Sequence, residues 1–193
     1  MGFTDVLFGR KKLKSPAQER LFALSTARVT LDAELGLKSA GSGGIVFKPL
    51  SAGEFEQVDK DTEELLQGVA SSGGSTLDRK TDTFGFQWAI VRDPDLEDQV
   101  AAVHTVASEL EARGFGGQLL AAAFRFGGES PGDDQPVYWI YGFKTGTWWP
   151  FVPTGEKQER DNARELELKA KLEQELPVEP DLSKWLALFD API

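Results

Sequence analysis

The segments PVYWIYGF (residues 136–143) and WWPFVP (residues 148–153) stand close together in the second half of the chain. They contain three of the five tryptophans and both tyrosines, and they flank the turn sequence at residues 144–146. Aromatic and β-branched residues around a glycine-containing turn predict a β-hairpin. A hairpin with side chains this large needs cover on both of its faces, from the chain itself or from a partner.

The aromatic side chains of this hairpin leave two interpretations open. Trp and Tyr are frequent anchors of protein interfaces, which makes four residues candidates for partner binding: Trp139, Tyr141, Trp148 and Trp149. Neither segment shows the polar alternation of a sheet with one face in water, which favours cover by the chain's own layers. No catalytic motif accompanies the hairpin, so the sequence favours a recognition module over an enzyme.

The remaining segments predict helices and strands around the hairpin. Apolar periodicity and capping signals predict helices at residues 16–36, 51–69, 94–113, 154–176 and 182–189. Further strands are expected at residues 45–47, 76–80, 85–92 and 119–126, and the Gly/Ser-rich stretch 39–44 is expected to be a loop. In the first helix Phe22 and Val29 are expected to widen the buried leucine face. Strands joined by hairpins predict an α+β fold, with a mostly antiparallel sheet packed by helices.

Three regions are expected along the chain: a basic amphipathic segment at 1–14, an α+β domain at 15–153 and a C-terminal helical extension at 154–193. Surface ion pairs Glu165–Lys169 and Glu167–Lys171 are predicted on the helix of the extension. Whether that helix packs on its own body or on another chain stays open.

The charge of the chain is uneven. The net charge of −10 argues against general nucleic-acid binding, which needs a basic footprint. The N-terminal segment is basic, with apolar residues at helical spacing, and it supplies the candidate membrane-contact residues Phe3, Val6, Leu7, Arg10, Lys11, Lys12 and Lys14. Each basic residue near an anionic leaflet contributes about 1 kcal/mol, so the expected contact is weak and reversible. A disordered tail is the alternative.

Composition also bears on location. There are no cysteines, which removes disulfides and thiolate chemistry, and no run of 18 apolar residues suggests a spanning helix. No secretory signal is apparent at the start of the sequence. The expected location is the cytoplasm, peripheral to the inner face of the membrane.

Candidate catalytic and ligand-binding features are sparse. His104 is the single histidine and is expected to be a packed or surface residue. The acidic run at 93–98 opens a helix, where carboxylates act as caps more often than as cation ligands. The glycines at 114–117 lack the flanking residues of a phosphate loop and indicate a helix end. No catalytic residue, cofactor or metal site is therefore predicted.

Several stretches in fixed order together resemble the PspAB family, phage-shock-protein-A-associated protein B. They are LFALSTA (21–27), VFKP (46–49), GFGGQLLAA (114–122), VYWIY (137–141), PFVP (150–153), RDNA (160–163) and the region of Trp185. The resemblance implies a non-enzymatic accessory of the envelope-stress system built around PspA, a coiled-coil protein that coats and repairs membranes. It transfers no catalytic residues. The order of helices and strands is also similar to type III secretion chaperones and YbjN-like proteins.

Three hypotheses follow. The first is an adaptor or regulator of the phage-shock type of stress response, which binds a PspA-type coiled-coil protein while residues 1–14 touch an anionic membrane surface. The second is a secretion-chaperone-like protein that binds peptides as a homodimer, without a membrane role. The third is a small enzyme that uses His104.

Overall fold

The computed structural model describes residues 18–48, 74–128, 135–155 and 158–193. These residues form a six-stranded antiparallel sheet with three α-helices, which confirms the α+β fold. The strands lie in the order β2-β3-β1-β4-β5-β6 and are β1 Leu37–Phe47, β2 Thr76–Thr81, β3 Gln87–Arg92, β4 Leu119–Gly128, β5 Val137–Gly142 and β6 Thr147–Phe151. The helices are α1 Ala23–Ala33, α2 Leu96–Ala112 and α3 Asn162–Leu172. Short 3-10 turns occur at Gln18–Phe22, Gly116–Gln118 and Leu182–Lys184.

Both faces of the sheet are covered, by different parts of the chain. One core contains the buried faces of α1, α2 and α3 together with the strand residues that point toward them, such as Trp139 and Trp148. A second core contains the alternate strand residues, such as Ile140 and Trp149, under the C-terminal segment that includes Trp185. The predicted aromatic hairpin, β5–β6, therefore lacks polar alternation because neither of its faces meets water.

Helix α2 forms as its sequence predicts. Its predicted inward positions are all buried: Leu96, Val100, Val103, Ala107 and Leu110. Asp95 is the N-cap, and its carboxylate accepts hydrogen bonds from the backbone amides of Glu97 and Asp98. The interpretation of the acidic run as a helix cap is confirmed.

The predicted extent of the buried face of the first helix is wrong. Leu24 and Leu31 are buried, but Phe22 is 41% exposed and Val29 is 68% exposed. Phe22 belongs to the 3-10 turn that precedes α1, so it does not follow the α-helical spacing. Val29 is two residues from Leu31, which places it about 200° around the helix from the buried stripe.

The predicted loop at 39–44 is also wrong, because β1 runs through it with a bulge between Ser39 and Gly43. A side chain at Gly43 would bring its Cβ to 2.7 Å from Cδ1 of Phe124, and at Gly44 to 2.9 Å from the carbonyl oxygen of Ala89. These glycines allow neighbouring groups to approach closely, which is a second use of glycine in strands.

The C-terminal region differs from its prediction as well. The helix expected at 154–176 is shorter, because Asp161 caps α3 by accepting a hydrogen bond from the amide of Arg164. The helix expected at 182–189 is wrong: only the turn Leu182–Lys184 is helical, and the chain then runs irregularly over the sheet. Leu168 and Leu172 of α3 pack into the first core, so this helix lies on its own body.

Two sequence predictions fall outside the described residues: the basic amphipathic segment at 1–14, with all its candidate membrane-contact residues, and the helix at 51–69. None of the helices in the described ranges has the length and apolar character needed to cross a bilayer.

Candidate functional site

The four aromatic candidates for partner binding lie inside the protein. Trp139, Tyr141 and Trp148 are fully buried, and Trp149 is 3% exposed. The rings of Tyr141 and Trp148 pack with their centroids 5.0 Å apart. Burial raises the pKa of Tyr141 to about 12. Of the two interpretations left open, packing by the chain's own layers is the arrangement found, and a partner that touched these rings would have to displace that cover.

Hydrogen bonds tie two of these rings to distant segments. The indole Nε1 of Trp148 donates to the carbonyl oxygen of Arg20 at 3.1 Å, and Nε1 of Trp149 donates to that of Leu186 at 3.0 Å. Buried indoles usually find such acceptors. The hairpin therefore holds both the start of the described chain and the C-terminal segment in place.

A surface cleft lies beside Trp149, with a volume of about 420 Å³. It is formed where β1 ends, where β4 begins, at the β5–β6 turn and along the C-terminal segment. Its floor and walls are apolar or lack side chains and comprise Leu119, Leu120, Phe143, Trp149, Leu186, Gly116, Gly117 and Gly142. Its polar lining comprises Lys48, Lys144, Thr145, Glu179 and Lys184. A volume of this size is within the range of ligand pockets, about 300–1,000 Å³.

The backbone around the cleft is held by the sheet. The amide of Lys48 donates to the carbonyl oxygen of Gln118 at 3.0 Å, and the amide of Phe143 donates to that of Leu120 at 3.2 Å. A Cβ at Gly142 would lie 2.9 Å from both Oγ1 of Thr145 and a ring carbon of Trp149. Glycine at this position leaves the space that the indole ring occupies at the wall of the cleft.

The rim of the cleft is positively charged. Lys48, Lys144 and Lys184 are exposed, whereas Glu179 is only 5% exposed. The Glu179 carboxylate lies 3.5 Å from Nζ of Lys184 and accepts a hydrogen bond from Oγ1 of Thr147 at 2.9 Å. Lys48 and Lys144 make no ion pair with any described residue. Two lysines that form no ion pair within the described ranges thus flank an apolar floor, on a chain whose net charge is −10.

The other candidate features are structural. The ring of His104 is half-buried and packs 5.0 Å from that of Phe22. Gly114 adopts a positive φ of 92° directly after Arg113, the C-cap of α2, which confirms that this glycine run ends the helix. Within the described ranges, no group of three or more His, Asp or Glu side chains is arranged to hold a metal ion.

Sequence reasoning missed a buried ion pair behind β6. The predicted surface pair Glu165–Lys169 is wrong, since Glu165 is 1% exposed and contacts Arg160. Nε of Arg160 donates to both Glu165 oxygens at 2.9 Å, and the Val152 amide donates to Oε1 at the same distance. The signal was present in the spacing, because Glu165 shares the i, i+3, i+7 stripe of Leu168 and Leu172.

Fold and cleft together define an α+β protein that carries, within its described residues, an open apolar cleft with a basic rim. The chain belongs to the family of PspA associated protein B, whose family model matches residues 1–193, the whole chain. The resemblance seen in the sequence is thereby confirmed, and the family links the chain to PspA. No curated protein and no solved structure gives a significant match. The likeness to type III secretion chaperones and YbjN-like proteins therefore stays a prediction.

Proposed function

We propose that this protein is a non-enzymatic adaptor or regulator of a PspA-type membrane-remodelling protein in the envelope stress response. The observation that carries the proposal is the open cleft beside Trp149, on a chain whose family is named for association with PspA. Its apolar floor and the lysines on its rim suit the capture of a protein segment.

The buried hairpin has a supporting role in this proposal. Trp149 is fixed by its hydrogen bond to the Leu186 carbonyl, so one wall of the cleft is rigid and in place before a partner arrives. A preformed site loses less conformational entropy on binding than one that must be assembled. The aromatic residues thus contribute to recognition by shaping the cleft from behind.

The proposal includes contact of residues 1–14 with an anionic membrane surface, and this contact is argued from their sequence. Four basic residues contribute about 4 kcal/mol at most near an anionic leaflet, and three apolar side chains add to that. We expect a full-length protein to sediment with vesicles that contain an anionic lipid, and a protein that lacks residues 1–14 to remain in the supernatant. Equal sedimentation of both proteins would remove the membrane contact from the proposal.

The adaptor proposal is tested by calorimetric titration of the full-length protein with a PspA-type protein at near-physiological salt. Saturable binding with a Kd of about 1 μM or tighter, equivalent to about −8 kcal/mol, is the expected result. Absence of heat, together with no co-elution on gel filtration, would refute direct binding.

The cleft also supports a second candidate function, a chaperone-like module that binds exposed segments of other proteins without a membrane role. This candidate predicts a stable homodimer and uptake of a hydrophobic dye. A strict monomer by light scattering, with no dye uptake, would contradict it.

A further inference from the structure

We propose that the cleft beside Trp149 binds an acidic amphipathic α-helix of the partner, with its apolar side chains on the cleft floor and its carboxylates at Lys48 and Lys144. This inference rests on the proposed adaptor function, since it specifies the segment that the partner supplies. Three observations carry it: the positive charge of the rim, the hydrogen bonds that already engage the nearby backbone and the exposure of Leu186.

The charge of the rim selects an acidic ligand. Glu179 is the one acidic residue of the lining, and it is engaged by Lys184 and Thr147. Lys48 and Lys144 extend from separate segments and form no ion pair with a described residue. Carboxylates on the partner would meet two cations on a surface that otherwise repels acidic chains.

The hydrogen bonding of the backbone near the cleft favours a helical ligand over an extended one. Extended peptides gain affinity by adding hydrogen bonds to an open sheet edge, whereas a helix satisfies its own backbone. The nearest sheet edge, β6, is already used: the Trp148 amide donates to the carbonyl oxygen of Pro177, and the Glu179 amide donates to that of Trp148. The amides of Lys48 and Phe143 are engaged within the sheet as well.

The apolar part of the site includes a side chain that the fold leaves exposed. Leu186 lines the cleft and is 53% exposed, while its backbone carbonyl holds the Trp149 indole. Its side chain is therefore free to contact a ligand without a change in the packing of Trp149. Leu182 lies four residues earlier in the same segment and is 50% exposed, but it does not line the cleft. It is a matched control.

The test uses the full-length protein and two kinds of probe. The first is a PspA-type protein. The second is a pair of synthetic amphipathic helices with the same leucine face, one flanked by glutamates and the other by lysines. Binding is measured by calorimetry with Lys48→Glu/Lys144→Glu against the control Lys80→Glu/Lys171→Glu, in which both lysines are exposed and do not line the cleft.

We expect the glutamate helix to bind and the lysine helix to fail. Reversal of Lys48 and Lys144 is expected to weaken binding of the glutamate helix and the PspA-type protein by about tenfold or more, because it replaces two attractions by repulsions. The control reversal is expected to change binding by about twofold or less, since distant exposed charges are screened. Leu186→Ala is expected to weaken both interactions, and Leu182→Ala to leave both unchanged.

The outcomes separate this inference from the adaptor proposal. If the PspA-type protein binds but is insensitive to cleft variants, the inference is overturned and the adaptor proposal stands. Binding of the glutamate helix alone, with the expected sensitivity, supports the cleft chemistry and refutes the PspA partner. Failure of both probes overturns both. Loss of anionic vesicle binding on reversal of Lys48 and Lys144, with helix binding unchanged, would assign these lysines to a membrane and also overturn the inference.

Discussion

Replacement of Glu165 by alanine is expected to destabilise the fold more than any other change to a charged residue of α3. The Glu165 side chain is 2% exposed and holds Arg160, whose side chain is 21% exposed. It also accepts a hydrogen bond from the amide of Val152, the residue that follows β6. Arg160 in turn donates to the carbonyl oxygen of Trp185 at 3.0 Å, so the pair joins α3, β6 and the C-terminal segment.

The magnitude follows from what the substitution leaves behind. Removal of one partner of a buried ion pair costs about 3–5 kcal/mol, and a buried amide without an acceptor costs about 1–3 kcal/mol. The two costs overlap, and Arg160 keeps some solvent and its bond to the Trp185 carbonyl. We therefore expect a loss of about 3 kcal/mol, which corresponds to a fall in Tm of about 6–12 °C for a chain of this length.

The assay is urea denaturation followed by tryptophan fluorescence, with Glu167→Ala as the matched control. Glu167 lies on the same helix, its side chain is 55% exposed, and it pairs with Arg164 at 2.8 Å. An exposed pair of this kind contributes about 0.5 kcal/mol or less. The double variant Arg160→Met/Glu165→Leu is expected to recover only part of the loss: apolar residues of similar size remove both charges, but the Val152 amide still lacks its acceptor.

A loss for Glu165→Ala no larger than that for Glu167→Ala would refute this reasoning. A loss of unfolding free energy in Arg160→Ala/Glu165→Ala equal to the sum of the losses in the two single variants would also refute it, since residues in contact are expected to be coupled.

Two further predictions concern the interior of the protein. Burial raises the pKa of Tyr138, and that of Tyr141 to about 12, from an ordinary value of 10.0. Because the fold favours the neutral phenols, their contribution to the free energy of unfolding is complete below pH 10 and is lost as the pH rises toward 12. Absorbance at 295 nm should therefore show little tyrosinate near pH 10 in the folded protein. Titration of both tyrosines with the ordinary pKa of 10.0 would contradict the burial. Gly44→Ala is expected to cost about 1–3 kcal/mol, because its Cβ would lie 2.9 Å from a backbone oxygen, whereas Gly117→Ala has open space within 4 Å and should be close to neutral in the same urea assay.

Local patterns predicted much of the fold. The apolar spacing of α2, the carboxylate at its N-cap and the aromatic hairpin β5–β6 all formed as expected, since each depends on residues close together in sequence. Phe22, Val29 and the stretch 39–44 were predicted wrongly because a 3-10 turn changes the helical phase and because glycine serves close packing as well as loops. The polar position of Glu165 in an apolar stripe was visible in the sequence, but its partner was not.

The cleft could not be predicted from sequence. Its residues come from positions 48, 116–120, 142–149 and 179–186, and no local pattern connects them. The aromatic residues proposed for partner binding were identified as important, yet their exposure depended on whether another part of the chain covers the hairpin. The helices cover Trp139, Tyr141 and Trp148. The segment around Trp185 covers Trp149, and this segment was expected to be a helix but instead runs irregularly over the sheet.

The sequence by itself determined the family, the α+β class, the charge distribution and the elements built from short-range periodicity. The tertiary structure decided which aromatic rings are buried, which carboxylate is paired inside the core and where an apolar surface remains open beside lysines. The physical reason is that burial and charge pairing depend on contacts between segments far apart in the chain, whereas helical spacing, capping and turn formation depend on near neighbours.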